Sequence, residues 1–223
     1  MGPPVRTAGS VSAGKLDQIE TVLPVSFFER DTLQVARDLL GKVLVRHHAG
    51  RRLAGRLVEV EAYLGPEDLA SHSSRGLTRR TATMYGPPGH AYVYLIYGIW
   101  NCLNFVTRPR GEPQAVLVRA LEPEPGLGRC SGPGLVCRSL SIDRSLDGAP
   151  LEPPDLYLVD DGFIAGDIFE SPRVGVDYSG EWRERPWRFC LASEAISRPV
   201  PRELRLLLAT RRVSGSAAGR RKN

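Results

Sequence analysis

Residues 57–63 read Leu-Val-Glu-Val-Glu-Ala-Tyr, and this alternation constrains the fold more than any other stretch. A β-strand turns successive side chains to opposite faces. As a strand, the segment puts Val58, Val60 and Ala62 on one face and Glu59, Glu61 and Tyr63 on the other. Alternate residues lie about 6.5–7 Å apart, a separation at which two carboxylates fit the general range for glycosidic bond cleavage. The same pattern also suits a solvated strand face whose acids pair with arginines.

The rest of the chain supplies neighbours for such a strand. Asp31 can cap a helix, with Gln34 closing a capping box and Gly41 ending it; Leu33, Ala36, Leu39 and Leu40 form its apolar stripe. Strands are expected at 42–47 and 55–63, a hairpin over 91–107, and further strands at 115–121, 156–159 and 187–192. A short helix is expected from Gly134 to about Ser141. Residues 64–90 form a long loop rich in Gly, Pro, Ser, Thr and Arg, and such loops inside a compact domain are usually functional. There are no alternating βαβ units. The expected fold is therefore α+β, a single mixed domain with a curved antiparallel β-sheet core, flanking helices and a protruding β-hairpin. It spans 23–213, between a flexible N-terminal segment at 1–22 and a disordered basic tail at 214–223.

Composition narrows the partners. A chain of 223 residues with 42% hydrophobic and 25% charged residues reads as one soluble globular domain. Its charge of +5 and pI near 9.2 favour a polyanion, modestly. Of the 30 basic residues only Lys15, Lys42 and Lys222 are lysines. Arginine grips phosphate in a planar fork, although a biased genome composition explains the excess equally well. Cys102, Cys130, Cys137 and Cys190 form no C-x-x-C pair, which suits reduced thiols in a cytosolic protein and no metal site. The N-terminal stretch lacks the apolar core of a secretory signal, and Arg6 stands where a myristoylation signal needs Ser or Thr. The apolar run at 91–100 is too short to span a bilayer. The expected location is the cytoplasm, associated with the nucleoid, with no membrane attachment.

Hairpin tips are normally polar, yet this one carries Tyr97, Ile99 and Trp100 around Gly98. Such a tip either folds back onto the core or meets a partner. On a basic protein an attractive partner is a base stack, which an apolar wedge can open.

The blocks E-A-Y-L-G-P-E-D-x-A-S-H at 61–72, M-Y-G-P-P-G at 84–89, Y-V-Y-L-I-Y-G at 92–98, Asn104, V-L-V-R-A-L-E-P at 116–123 and G-P-G-L at 132–135 follow in order. This succession resembles the alkyladenine (3-methyladenine) DNA glycosylase family, from F-F-E-R-D at 27–31 to R-V-G-V-D-Y-S-G-E-W at 173–182. The resemblance implies a monofunctional enzyme of base excision repair, without lyase activity or cofactor. It would flip a damaged purine out of double-stranded DNA and hydrolyse its N-glycosidic bond. 3-Methyladenine and 7-methylguanine are the expected bases, with hypoxanthine and ethenoadenine as further candidates.

The same resemblance implies the roles. Glu61 would activate the water and favour the cationic sugar, with Glu59 a neighbour able to raise its pKa. Arg119 would fix that water and a backbone phosphate. Tyr63, His72 and Tyr94 would wall the base pocket, where π faces favour a cationic base. Asn104 would crowd the exocyclic amino group of guanine. Tyr97 would fill the gap in the duplex, supported by Ile99 and Trp100, and Arg80 would contact phosphate. The chain departs from the family pattern at Thr81, where relatives often carry Asn, and at Ile99 and Trp100. No second acid is clearly placed to protonate a neutral purine. A monomer is expected, since one active face on one duplex needs no symmetry mate. Two other readings stand beside this one: a carbohydrate glycosidase using Glu59 and Glu61 as an acid/base pair, and a nucleic-acid-binding module without catalysis.

Overall fold

The computed structural model describes residues 20–219, the last nine by backbone alone. Nine strands form one open sheet in which every pairing is antiparallel. They are β1 (Thr21–Val22), β2 (Val43–His48), β3 (Arg51–Tyr63), β4 (Ala91–Ile96), β5 (Trp100–Thr107), β6 (Gln114–Pro123), β7 (Leu156–Asp160), β8 (Phe169–Ser171) and β9 (Arg188–Cys190). The main path runs β1-β7-β2-β3-β6-β5-β4. β2 pairs with the first half of β3, and β9, backed by β8, takes the same edge along Glu59–Glu61. The helices are α1 (Val25–Phe28), α2 (Thr32–Leu39), α3 (Pro133–Ser139) and α4 (Arg202–Gly219). The protein is thus a single α+β domain, as its pattern of elements implies.

Local chemistry explains most boundaries. The Asp31 side chain caps α2 by accepting from the Gln34 amide at 3.0 Å. The Gln34 side chain turns to Asp38 instead of reaching back, so the capping box closes on one side only. Val35, Ala36 and Leu39 carry the buried stripe of α2, while Leu33 is only partly covered. Gly41 ends the helix at φ +89°, where a Cβ would also sit 2.8 Å from the Phe163 ring. β3 starts at Arg51, four residues before its expected start. Ala49 and Gly50 both take positive φ and turn the chain tightly enough for His48 to pair with Arg51.

The short strands β1 and β8 carry no alternating signal. Residues 1–19 and 220–223 lie outside the described residues, and with them most of the two expected end segments. Within those segments, Thr21–Val22 pairs with β7, and α4 continues past 213 to Gly219.

The 57–63 alternation separates two buried faces, not core from solvent. Val60 and Ala62 join Leu103, Phe105, Val116 and Val118 in the main core, against Val35, Ala36 and Leu39 of α2 and Val136 of α3. Glu59 and Glu61 have no exposed surface. On the far side of β4–β6 a smaller cluster forms from Met84, Tyr92, Val106 and Ala115, with Tyr94 packed on it.

Candidate active site

Residues paired across antiparallel strands share a face. Glu61 pairs with Leu117, Leu117 with Asn104, and Asn104 with Tyr92. Neighbouring strands lie about 4.8 Å apart, so this row crosses four strands in roughly 14 Å. Tyr63 lies opposite Ala115, and Tyr94 opposite Cys102. Segments more than forty residues apart in sequence therefore meet on one patch of sheet. β3 and β6 slip register twice between Leu57 and Val60, and Arg119 falls at the second slip. Such bulges re-aim side chains and are frequent beside functional sites.

A cavity of about 650 Å³ opens on this patch. Tyr63, His72, Tyr94, Asn104 and Arg119 line it, with Tyr97 and Tyr178 at residues that are largely exposed. Its volume suits a purine nucleoside with room for water. Glu61 does not itself line it. Its Oε2 accepts from the Tyr63 hydroxyl at 2.9 Å and from Arg119 Nη1 at 3.3 Å, while Oε1 accepts from the Val174 amide at 2.7 Å. All three partners line the cavity, so the carboxylate sits one layer behind its wall. Burial, and then the Glu61 charge, hold the Tyr63 phenol well above its ordinary pKa, so it remains a donor.

Glu59 shares Arg119 with Glu61 and adds partners of its own. Its Oε1 accepts from Arg119 Nε and Arg188 Nε, both at 2.8 Å, and from Ser197 Oγ at 2.7 Å. Burial pushes this carboxyl up, but Arg119, Arg188 and Ser197 outweigh it and hold it below the ordinary value. Like Glu61, Glu59 has no exposed surface and does not line the cavity.

His72 sits at the start of the 72–75 helical turn, capped by Ser71. Its ring meets Tyr94 edge to face with centroids 4.5 Å apart, and its Nδ1 lies 2.9 Å from the Tyr92 hydroxyl. Burial, followed by the charges of Arg80 and Arg75, lowers its pKa to about 4, so the imidazole is neutral at pH 7. Asn104 is buried and donates from Nδ2 to the Tyr92 carbonyl. Arg80 is exposed, with its guanidinium 5.1 Å from the centre of the Tyr94 ring.

The hairpin tip does not fold back onto the core. Tyr97 is 86% exposed and Ile99 70%. Tyr97 and Gly98 both take positive φ, and the Ile99 amide closes the turn onto the Ile96 carbonyl. Trp100, unlike Tyr97, is half-buried and lies against Gly134, where a Cβ would stand 2.6 Å from the indole. That close approach gives the glycine of G-P-G-L a physical reason.

Four features were not legible as site components. Asp68 and Arg173 form a fully buried bidentate ion pair. Asp68 also accepts from the Leu64 and Ala70 amides, which pins the chain between β3 and His72. Arg173 caps the back of Tyr63 with its guanidinium 4.7 Å from the ring centre. Val174, the next residue, holds Glu61. Tyr92, two residues before Tyr94 on the same face, orients His72; the Y-V-Y alternation is the signal that could have found it. Thr81, the departure from the family pattern, is buried and ties the 76–81 loop by accepting from the Thr78 amide and donating to the Gly76 carbonyl. All four cysteines are buried thiols. Among the described residues no helix is long and apolar enough to cross a membrane.

The sequence matches the family model for methylpurine-DNA glycosylase over residues 26–195. A protein of Anaeromyxobacter dehalogenans (strain 2CP-C) is 52% identical over 182 residues, covering 80% of this chain and 88% of its own length. One from Methanocella arvoryzae is 50% identical over 182 residues (75% and 91%), and one from Legionella pneumophila (strain Lens) is 50% identical over 169 residues (75% and 92%). All three bear the name "Putative 3-methyladenine DNA glycosylase". With its match extending across most of the domain that carries the cavity, this chain belongs to the methylpurine-DNA glycosylase family.

Proposed function

We propose that the protein excises damaged purines, 3-methyladenine and 7-methylguanine first among them, from duplex DNA by hydrolysing the N-glycosidic bond, and that it acts as a monomer without lyase activity. The observation that carries this reading is the cavity: an aromatic slot of Tyr63, His72 and Tyr94 backed by the buried Glu61–Arg119 pair. The slot takes the extruded base, and its π faces favour the positive charge of an alkylated purine. A neutral His72 supports the same preference, because an imidazolium there would repel a cationic base. The positively charged base is a good leaving group and needs no proton from the enzyme. That fits the placement of Glu59 outside the cavity.

Glu61 acts as general base on the attacking water and stabilises the oxocarbenium-like sugar. It lies just behind Tyr63, Arg119 and Val174 of the cavity wall, and the water is held between Glu61 and Arg119 as the nucleotide enters. Asn104 narrows the pocket floor against normal guanine. Tyr97 enters the base stack and recovers part of the few kcal/mol that extrusion costs. Ile99 flanks it, and Arg80 swings from the Tyr94 face to a phosphate.

The test is duplex DNA treated with a methylating agent, assayed for free base and for alkali-labile abasic sites. Glu61→Gln should lower release about a thousandfold, within the range of general base catalysis, and leave most of the DNA affinity. Release at the parental rate by this variant would sink the mechanism.

A further inference from the structure

Glu59 is a buried charge to which the proposed reaction gives no part. It lies one strand repeat from Glu61, has no exposed surface and forms no part of the cavity wall. An isolated ion in that setting is strongly unfavourable, and a buried ion pair by itself does little for stability. Its partners suggest another purpose. Three donors converge on Oε1: Arg119 Nε, Arg188 Nε and Ser197 Oγ. The Ser197 amide donates to Oε2. Arg188 is itself fixed, because its two terminal nitrogens donate to the Pro199 and Ser197 carbonyls. Arg119 is therefore held from behind at two points, Nε on Glu59 and Nη2 on Ser197 Oγ, leaving Nη1 facing Glu61 at 3.3 Å.

We infer that Glu59, with Arg188 and Ser197 behind it, is a positioning residue for Arg119: it keeps the guanidinium from collapsing into a close pair with Glu61, so that Glu61 can take the water. The inference rests on the role proposed for Glu61 and extends it to a residue outside the cavity. Charge balance supports it. Two buried carboxylates face two buried guanidiniums, and the shorter Arg119 contact, 2.8 Å against 3.3 Å, goes to the carboxylate remote from the cavity. Without the Glu59 charge, Glu61 is the carboxylate left to Arg119, which already donates to it and would close on it. A glutamine in place of Glu59 could keep the shape but not the pull, and its amide would set a donor against the Ser197 amide or against the guanidiniums.

The experiment is single-turnover release of 3-methyladenine from methylated duplex DNA with enzyme in excess, alongside the Kd for the same DNA. Glu59→Gln should slow release about a hundredfold, the scale expected when a reacting group is displaced by about 1 Å, with Kd changed less than about twofold. In an Arg119→Ala background the same substitution should have almost no further effect, because Glu59 acts through Arg119. An equal loss in both backgrounds, or parental release by Glu59→Gln, overturns the inference and leaves the glycosylase reading intact. A parent that releases no base overturns the functional reading first. Should Glu59→Gln fail to fold, Ser197→Ala removes one hydrogen bond to each of Glu59 and Arg119 without stranding a charge. It should slow release about threefold in the parent and not in Arg119→Ala, a loss of about the size expected for one hydrogen bond. No loss in the parent overturns the inference.

Discussion

The two ends of the site are built on opposite terms. At the β3 end, Glu59 and Glu61 have no exposed surface, Arg119 shows 6%, and the Asp68–Arg173 side chains are sealed. At the β4–β5 tip, Tyr97 is 86% exposed and holds a left-handed backbone. The buried end gathers charge in a fixed frame out of solvent, where electrostatic interactions are strongest. The tip keeps an apolar ring in water in a conformation that costs a bulky residue about 1–2 kcal/mol. At the buried end each charge depends on its partner, since removing one strands the other, while the tip carries backbone strain. Substitutions should therefore move stability and function together at β3 and in opposite directions at the hairpin.

The largest expected effect on stability breaks the buried end. Asp68→Asn leaves Arg173 without its carboxylate inside a site with no exposed surface, which should cost about 3–5 kcal/mol. Urea unfolding reads it as a lower midpoint at unchanged slope. Base release should fall as well, because Asp68 pins the loop that carries His72 and Arg173 backs the Tyr63 ring. A variant as stable as the parent would mean that this end is less rigidly coupled than its hydrogen bonds imply.

The same contrast explains how much could be read from the chain. The β3 alternation, the 91–107 hairpin and the apolar tip are local patterns, visible in a few consecutive residues, and their boundaries fall within a few residues of the observed ones. Tyr63, His72, Tyr94, Asn104, Glu61 and Arg119 stand in ordered motifs; cross-strand pairing puts Glu61, Tyr63, Tyr94 and Asn104 on one face, a register slip aims Arg119, and a helical turn outside the sheet carries His72. What was not legible is the support behind them. Asp68 finds Arg173 105 residues away, and Glu59 finds Ser197 138 residues away. Arg173 and Arg188 sit in segments whose local pattern says nothing of burial. The register slips that place Arg119 arise between strands and leave no mark in either strand alone.

At the hairpin the expected signs split. Asn tolerates the left-handed region, so Tyr97→Asn should relieve strain and raise stability by about 0.5–1 kcal/mol. The lost ring should weaken binding to damaged duplex by about 1–3 kcal/mol, the usual value of one base–aromatic stack. Melting temperature and Kd measured on one preparation give both signs. A variant that loses stability and keeps its affinity would show that Tyr97 is a packing residue and end the comparison.

The smallest effect sharpens the buried end. His72 titrates near pH 4 in the folded protein and near 6.5 when unfolded. The unfolded chain thus takes up a proton over that window which the folded protein refuses. The contribution of His72 is fully present above about pH 6.5, falls as pH drops through the window, and levels off below about 4. His72→Gln should flatten the stability profile between those limits and leave its slope at pH 8 unchanged. Burial is the larger cause of the shift, ahead of Arg80 and Arg75. At 1 M salt the screening length is about 3 Å, so the two arginine charges are largely muted while the desolvation remains. Most of the pH slope should therefore survive in high salt. If salt erased it, the exposed arginines would be setting the state of the pocket wall, and the dry end of the site would be governed from its rim.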